Sequence, residues 1–328
     1  MQKFLSIYFS LCLIISIIFT ACSSSIIEEV PSNEEEQTAI GFAAMVENSR
    51  AIDELEDVQN NGFSVWGGFG NTNVFDATKV TYTDADGWGY GETRYWTYNT
   101  YNFYAVYPDQ DRAAYASVTG DNTTKQLEIK EFDASKEYDL MHAEFIGADG
   151  SERPLIGLKF KHLLTNISVK LQKSYANSSD NVIVTGVYIF GVKNKGDYTL
   201  VDNKESWSNQ SDQSYVGLDL TSSGITLDAK EVGENGKDHY KECASGLLVI
   251  PQDITGQIML FVRYTYASNG GATMQKTLTS SLPDSPAWEI GTKINYTATI
   301  FVDDKIEFSI PTVETWGAEQ TGGTIIIQ

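Results

Sequence analysis

The chain has 328 residues, with 23 Lys and Arg against 44 Asp and Glu, a net charge of −21. That balance excludes a nucleic-acid binder, which needs a cationic footprint, and docking on anionic lipid through a basic patch. Hydrophobic residues make up 41%, enough for packed cores, and three cysteines are too few for a disulfide scaffold.

Residues 1–21 read as a targeting segment: Lys3 gives a positive start and an apolar run follows from Phe4 to Phe19. The run is short for a membrane span, and polar sequence follows it. Phe19-Thr20-Ala21-Cys22 looks like the cleavage box of a bacterial lipoprotein, which implies cutting before Cys22 and acylation of its thiol. Residues 22–37 are acidic and without periodicity, as expected of a tether. Cys12 would leave with the signal and Cys22 would carry lipid, so Cys243 is expected to be a buried, inert thiol.

From residue 38 onward the pattern is that of strands. Ile40, Phe42, Ala44 and Val46 share one face of a first strand. Arg50 follows in a polar stretch, before Ala51, where it would suit an arginine-reading protease; the plainer reading is a surface arginine. Ile52 to Gln59 hints at a helical turn, and Asn60-Asn61-Gly62 reads as a turn. Asp84-Ala85-Asp86-Gly87 opens like a calcium loop, but Trp88 fills a ligand position and a hairpin turn fits better. Trp88, Tyr90, Tyr95, Trp96, Tyr98, Tyr101, Phe103 and Tyr104 form an aromatic cluster, readable as core or as a glycan-stacking surface. In Tyr101 to Tyr107 the set Tyr101, Phe103, Ala105 and Tyr107 faces one way. Further strands are expected at Ile167–Leu171, Val182–Phe190, Gly246–Ile250, Ile258–Tyr266 and Lys293–Val302.

Strands without intervening helices predict an all-β chain of antiparallel sandwiches, and the body is too long for one. The expected organisation is a signal over 1–21, a tether over 22–37, an N-terminal sandwich over 38–157 and a C-terminal one over 158–328. The last residues include Thr324, Ile325, Ile326 and Ile327. A run that does not alternate wants both faces covered, either in its own domain or as a strand offered to another subunit.

Catalytic signals are missing from the sequence. His142, His162 and His239 lack partners at metal-site spacing, and neither an H-E-x-x-H nor a G-x-S-x-G occurs. Gly67-Gly68-Phe69-Gly70 and Gly87-Trp88-Gly89-Tyr90-Gly91 lie between strands rather than opening a helix, as a phosphate loop would.

A set of short motifs resembles one family. They are Ile40-Gly41-Phe42 with Arg50-Ala51, Arg94-Tyr95-Trp96, Tyr101 to Pro108, Asp139 to Ala143, Leu158 to Val169, Leu247 to Gln252, Trp288 to Gly291 with Asn295-Tyr296, and Trp316. In this order they resemble the fimbrillins of the Bacteroidales (type V pilins and Mfa-like fimbrial lipoproteins). The resemblance implies two transthyretin-like sandwich domains in tandem, no enzymatic activity and no cofactor. It implies a surface subunit that reaches the outer membrane as a lipid-anchored precursor and takes part in adhesion. An arginine-specific protease would cut after Arg50 and release the strand of Ile40, Phe42, Ala44 and Val46. The strand of Thr324, Ile325, Ile326 and Ile327 from another fimbrial subunit would fill the groove. Anchor, tip and glycan-binding roles stand beside that of a shaft subunit, and His162 would be structural.

Overall fold

The structure, a computed structural model, describes residues 37–47, 52–112, 114–115, 117–123, 125–220, 223–231, 237–254, 256–268 and 271–316. The elements of the first half are β1 (Phe42–Val46), α1 (Ile52–Asn61), β2 (Phe63–Phe69), β3 (Thr72–Thr83), β4 (Gly87–Tyr90), β5 (Thr100–Tyr107), β6 (Ser117–Asp121), β7 (Gln126–Asp133), β8 (Met141–Asp149) and β9 (Ile156–His162). There follow β10 (Thr165–Lys173), β11 (Asn181–Val201), β12 (Lys204–Asp219), β13 (Ile225–Thr226), β14 (Lys241–Val249), β15 (Met259–Ala267), β16 (Met274–Ser281), β17 (Thr292–Phe301), β18 (Lys305–Phe308) and β19 (Thr312–Thr315). The expected all-β architecture is present. Asn60-Asn61 do not form a turn of their own. They complete α1, and Gly62, at φ +75°, ends it with its N–H on the carbonyl of Val58.

Three sheets result. The first has the order β1-β9-β8-β5-β2-β3-β4. The second runs β14-β10-β17-β18, with β19 also on β17, and the third runs β16-β15-β11-β7-β6, with β12 and β13 also on β11. Two ladders among the described strands, β1–β9 and β10–β17, run parallel within otherwise antiparallel sheets. The second and third sheets enclose a C-terminal core around Val169, Ile189, Val262, Tyr264 and Tyr296.

The first sheet buries both faces of its centre. Phe63, Val65, Phe103 and Ala105 point into one core with Ile40, Phe42, Leu158 and Phe160. Trp66, Tyr104 and Val106, the alternate residues of the same strands, pack against Leu127, Ile129, Tyr198 and Leu200 of β7 and β11. Tyr104 and Val106 are as inaccessible as Phe103, because one long strand covers the far face. β11 spans 21 residues, on the order of 70 Å if straight. Its first part lies between β15 and β12 and its last part between β7 and β12. Register shifts fall at Phe190/Val192 and Lys195/Asp197. Gly191 takes the first of them at φ +83°, where a side chain would meet the carbonyl of Gln257.

The boundary expected between 157 and 158 falls inside β9, whose ladder partners are β1 and β8. β6 and β7, although early in the chain, join the third sheet through β11.

A buried polar contact ties β8 to β12: His142 Nε2 donates to Glu205 Oε1 at 2.9 Å, and Tyr198 donates to the same oxygen at 3.0 Å. The hydrogen bond from His142 is the main reason the Glu205 carboxyl sits below its ordinary range, with burial opposing it. A carboxyl whose folded pKa is depressed stabilises the fold above its unfolded value, about 4.3, and loses that contribution as pH falls through the folded one. Urea midpoints of a Glu205→Gln variant are therefore expected to fall less steeply than those of the parent between about pH 5 and pH 3. Parallel acid limbs would show that Glu205 contributes nothing.

The first strand and its groove as the candidate functional site

β1 is short and small-residued, Phe-Ala-Ala-Met-Val, and alternates in burial. Ile40, just before it, and Phe42 and Val46 within it are buried in the N-terminal core. Ala44, expected on the same face, packs against that core while only half buried, and Met45 on the other face is 48% exposed. Phe42 sits edge-on to three rings, with centroids 5.2 Å from Phe75, 5.7 Å from Tyr90 and 5.8 Å from Phe103.

The strand occupies a lane between two walls. On one side β9 runs parallel, from Phe42 opposite Ile156 to Val46 opposite Phe160. The ladder is extended by Ile156 N–H to Gly41 O at 2.9 Å and Glu47 N–H to Phe160 O at 2.7 Å. On the other side, the residues just before β1 meet the segment after β4, which the sequence motif Arg94-Tyr95-Trp96 marks without revealing its role. Ile40 N–H donates to Arg94 O at 2.8 Å, and Trp96 N–H donates to Thr38 O at 3.0 Å. The Tyr90 hydroxyl donates to Ile40 O at 2.6 Å.

Both walls have anchors independent of β1. Arg94 Nε donates to Val74 O on β3, and Trp96 packs on Tyr101 with ring centroids 4.9 Å apart. β9 joins β8 in the ladder through Met141–His162 and His142–Lys161, at its C-terminal end. Over Ile156–Phe160 its described ladder partner is β1. Removing β1 would expose a row of backbone donors and acceptors together with the sites of three buried side chains. Burying an apolar side chain of this size is worth about 1.5–3 kcal/mol, so the three represent roughly 5–9 kcal/mol as an upper estimate. That is comparable with the whole stability of an ordinary domain, about 5–15 kcal/mol. The lane therefore has to be filled by some strand for the N-terminal core to persist in water.

The other sequence-derived candidates distribute differently. Cys22, Arg50, Ala51, Thr324, Ile325, Ile326 and Ile327 lie outside the described residues. Trp96 is 7% exposed, and Trp88 is half buried against Phe63 and Tyr82. Of the aromatic cluster, Tyr95 and Tyr98 are exposed; its other rings are largely core. Asp84-Ala85-Asp86 is the β3–β4 turn, closed by Asp86 N–H to Thr83 Oγ1. Cys243 is buried, and burial pushes its thiol up to about 12. Among the described residues no group of three His, Cys, Asp or Glu is placed to hold a metal ion, and no helix is long and apolar enough to cross a membrane. His162 Nδ1 pairs with Asp139 at 2.8 Å, and its ring lies flat on Trp316 with centroids 3.8 Å apart.

A model of a family described as fimbrillin-like matches residues 33–316. A search among curated proteins finds no match. Among solved structures, the chain is similar to a fimbrial protein from Bacteroides vulgatus, at 19% identity and TM-score 0.62, covering 85% of this chain and 99% of that one. A candidate cell adhesion protein from Bacteroides uniformis is 18% identical with the same coverage and a TM-score of 0.48. At these identities the first likeness bears on the fold alone.

Phe42→Ala is expected to lower stability by about 3–5 kcal/mol, and Met45→Ala to leave it within about 0.5 kcal/mol, read as shifts of the urea midpoint. Equal effects at the two positions would contradict the assignment of the inward face.

Proposed function

The chain belongs to the fimbrillin-like family, and we propose that it is a structural subunit of cell-surface fimbriae. In this reading it is exported to the outer membrane as a lipoprotein acylated on Cys22, cut after Arg50, and polymerised by strand exchange to support adhesion. The observation that carries the proposal is the placement of β1: it completes a buried core, yet it is joined to the rest of the described chain through one parallel ladder and a few bonds to residues 94–96.

Arg50 lies in sequence between the last residue of β1 and the first of α1. Cutting there separates β1 from α1, which packs beside it through Val58 in the same core. Residues 22–50, including the lipid and Glu28, Glu29, Glu34, Glu35, Glu36 and Glu47, can then leave as one piece. The vacated lane is apolar and lined with unpaired backbone groups, which suits a strand such as Thr324–Ile327 of another subunit. Ladder bonds and buried isoleucines would act together, so the joint would be long-lived. No step calls on a reactive side chain, and the protein is read as having no catalytic role. The chemistry of processing belongs to an arginine-specific protease and that of attachment to the lipid. In the alternative, a glycan surface on the aromatic cluster, Trp96 is buried and Trp88 half buried, which leaves Tyr95 and Tyr98 as its exposed rings. A tip or anchor subunit would share the fold and differ in whether the first strand is released or the last one donated.

On cells, Arg50→Ala is expected to leave the lipid-bearing segment attached and to block polymers, as read by N-terminal sequencing and electron microscopy. Mature protein that still begins at Ala51 would contradict the processing step. Deleting 324–328 is expected to leave a processed subunit that forms no polymers; undiminished fibres would contradict the donor role.

A further inference from the structure

The root of the C-terminal segment and the exit of β1 lie at the same place. Trp316 is stacked on His162, the last residue of β9, and its N–H is held by Gly291 O at 2.8 Å. Glu47, the residue following β1, donates its N–H to Phe160 of β9, and its carboxylate meets Lys159 at 3.0 Å. Glu47, His162 and Trp316 together line one cavity of about 160 Å³. Residues 317–328 therefore start at the mouth of the lane that β1 occupies in the same molecule.

We infer that, once β1 has left, the lane can be filled in cis by the chain's own residues 324–328, giving a self-filled monomer that competes with the polymer. This inference rests on the proposed release of β1. The length of chain past Trp316 suits it. Residues 317–323 contain Gly317, Gly322 and Gly323, and a linker of seven residues can span on the order of 15 Å. The lane from Phe160 to Ile156 is roughly 13 Å long, so Thr324 can be brought to either end of it. Entering beside Phe160 and running toward Ile156, the segment would lie antiparallel to β9, where β1 is parallel. Antiparallel ladders are slightly more stable per residue.

Tethering also sets the balance with exchange between subunits. A short flexible connection gives an effective concentration of about millimolar. Neighbouring subunits at micromolar concentration would then lose to the tethered strand unless the subunit–subunit interface adds contacts of its own. The self-filled state is nonetheless imperfect. Ile325 and Ile327 can point inward together, but neither has the volume of Phe42 or can restore its contacts with Phe75, Tyr90 and Phe103. A strand that fits less well than the one it replaces can itself be displaced, which suits a subunit held monomeric until it meets a fibre end.

The test uses the mature chain from Cys22 and the same chain stopped after Trp316, both folded with β1 in place and both verified by slow amide exchange along β9. Each is cut with an arginine-specific protease, and the fragment ending at Arg50 is removed in mild denaturant and accounted for by mass. Exchange at Ile156–Phe160 is then followed in the monomeric fraction between about 1 and 100 µM. The expected result is at least about tenfold slower exchange in the chain with its tail than in the one without, independent of concentration. Equal exchange in the two monomers, or protection that grows only with polymer, overturns filling in cis. A peptide of residues 321–328 added to the cut, tail-less chain separates the two levels. Protection by the peptide but not by the chain's own tail refutes this inference alone, whereas no protection by either refutes the strand-exchange reading beneath it.

Discussion

A single parallel ladder between β1 and β9, with Ile40, Phe42 and Val46 behind it, closes one side of the N-terminal core. One face of the strand is buried in core, yet the strand is connected as an edge strand. Its inward side chains carry a large share of what a domain of this size can have as net stability, yet its backbone is held by five ladder positions and a few flanking bonds. An element of that kind is costly to lose and simple to substitute. Any apolar segment able to present alternate side chains and a free backbone meets the same requirement, because ladder bonds do not read sequence.

Much of the molecule around this strand is anchored independently of it. β11 passes through both halves of the chain, and Trp66, Tyr104 and Val106 of the first sheet pack on residues of β7 and β11. His142 and Trp207 add polar ties across the same region, to Glu205 and to the carbonyl of Leu163. Arg94 and Trp96 hold the far wall of the lane on β3 and β5. These supports hold the far wall and the centre of the first sheet, whereas Ile156–Phe160 of β9 has β1 as its described ladder partner and depends on a strand in the lane.

Much of this was legible in the sequence where burial follows a simple period. Ile40, Phe42 and Val46 alternate because one face of their strand meets core and the other water. The reading weakened wherever both faces are covered. In β5 the sequence puts Tyr101, Phe103, Ala105 and Tyr107 on one face, but Tyr104 and Val106 on the other are equally buried, under a strand almost a hundred residues later in the chain. The alternating pattern gives a strand over Val182–Phe190; β11 instead continues to Val201 through two bulges, at Phe190/Val192 and Lys195/Asp197. β12 went unpredicted since its sequence, from Lys204 to Asp219, is mostly polar, as suits a strand paired on β11 alone. The parallel partner of β1 lies more than a hundred residues away, and no local pattern encodes such a pairing. The meeting of Trp316, His162 and Glu47 was hidden for the same reason.

The account as a whole stands on the identity of the strand that fills the lane in the assembled fibre. An electron cryomicroscopy structure of fibres purified from cells would read it directly. The account predicts density along Ile156–Phe160 that traces to residues 324–327 of a neighbouring subunit, with nothing of the same chain before Ala51. A fibre in which that lane still holds Ile40, Phe42 and Val46 of its own chain would contradict it.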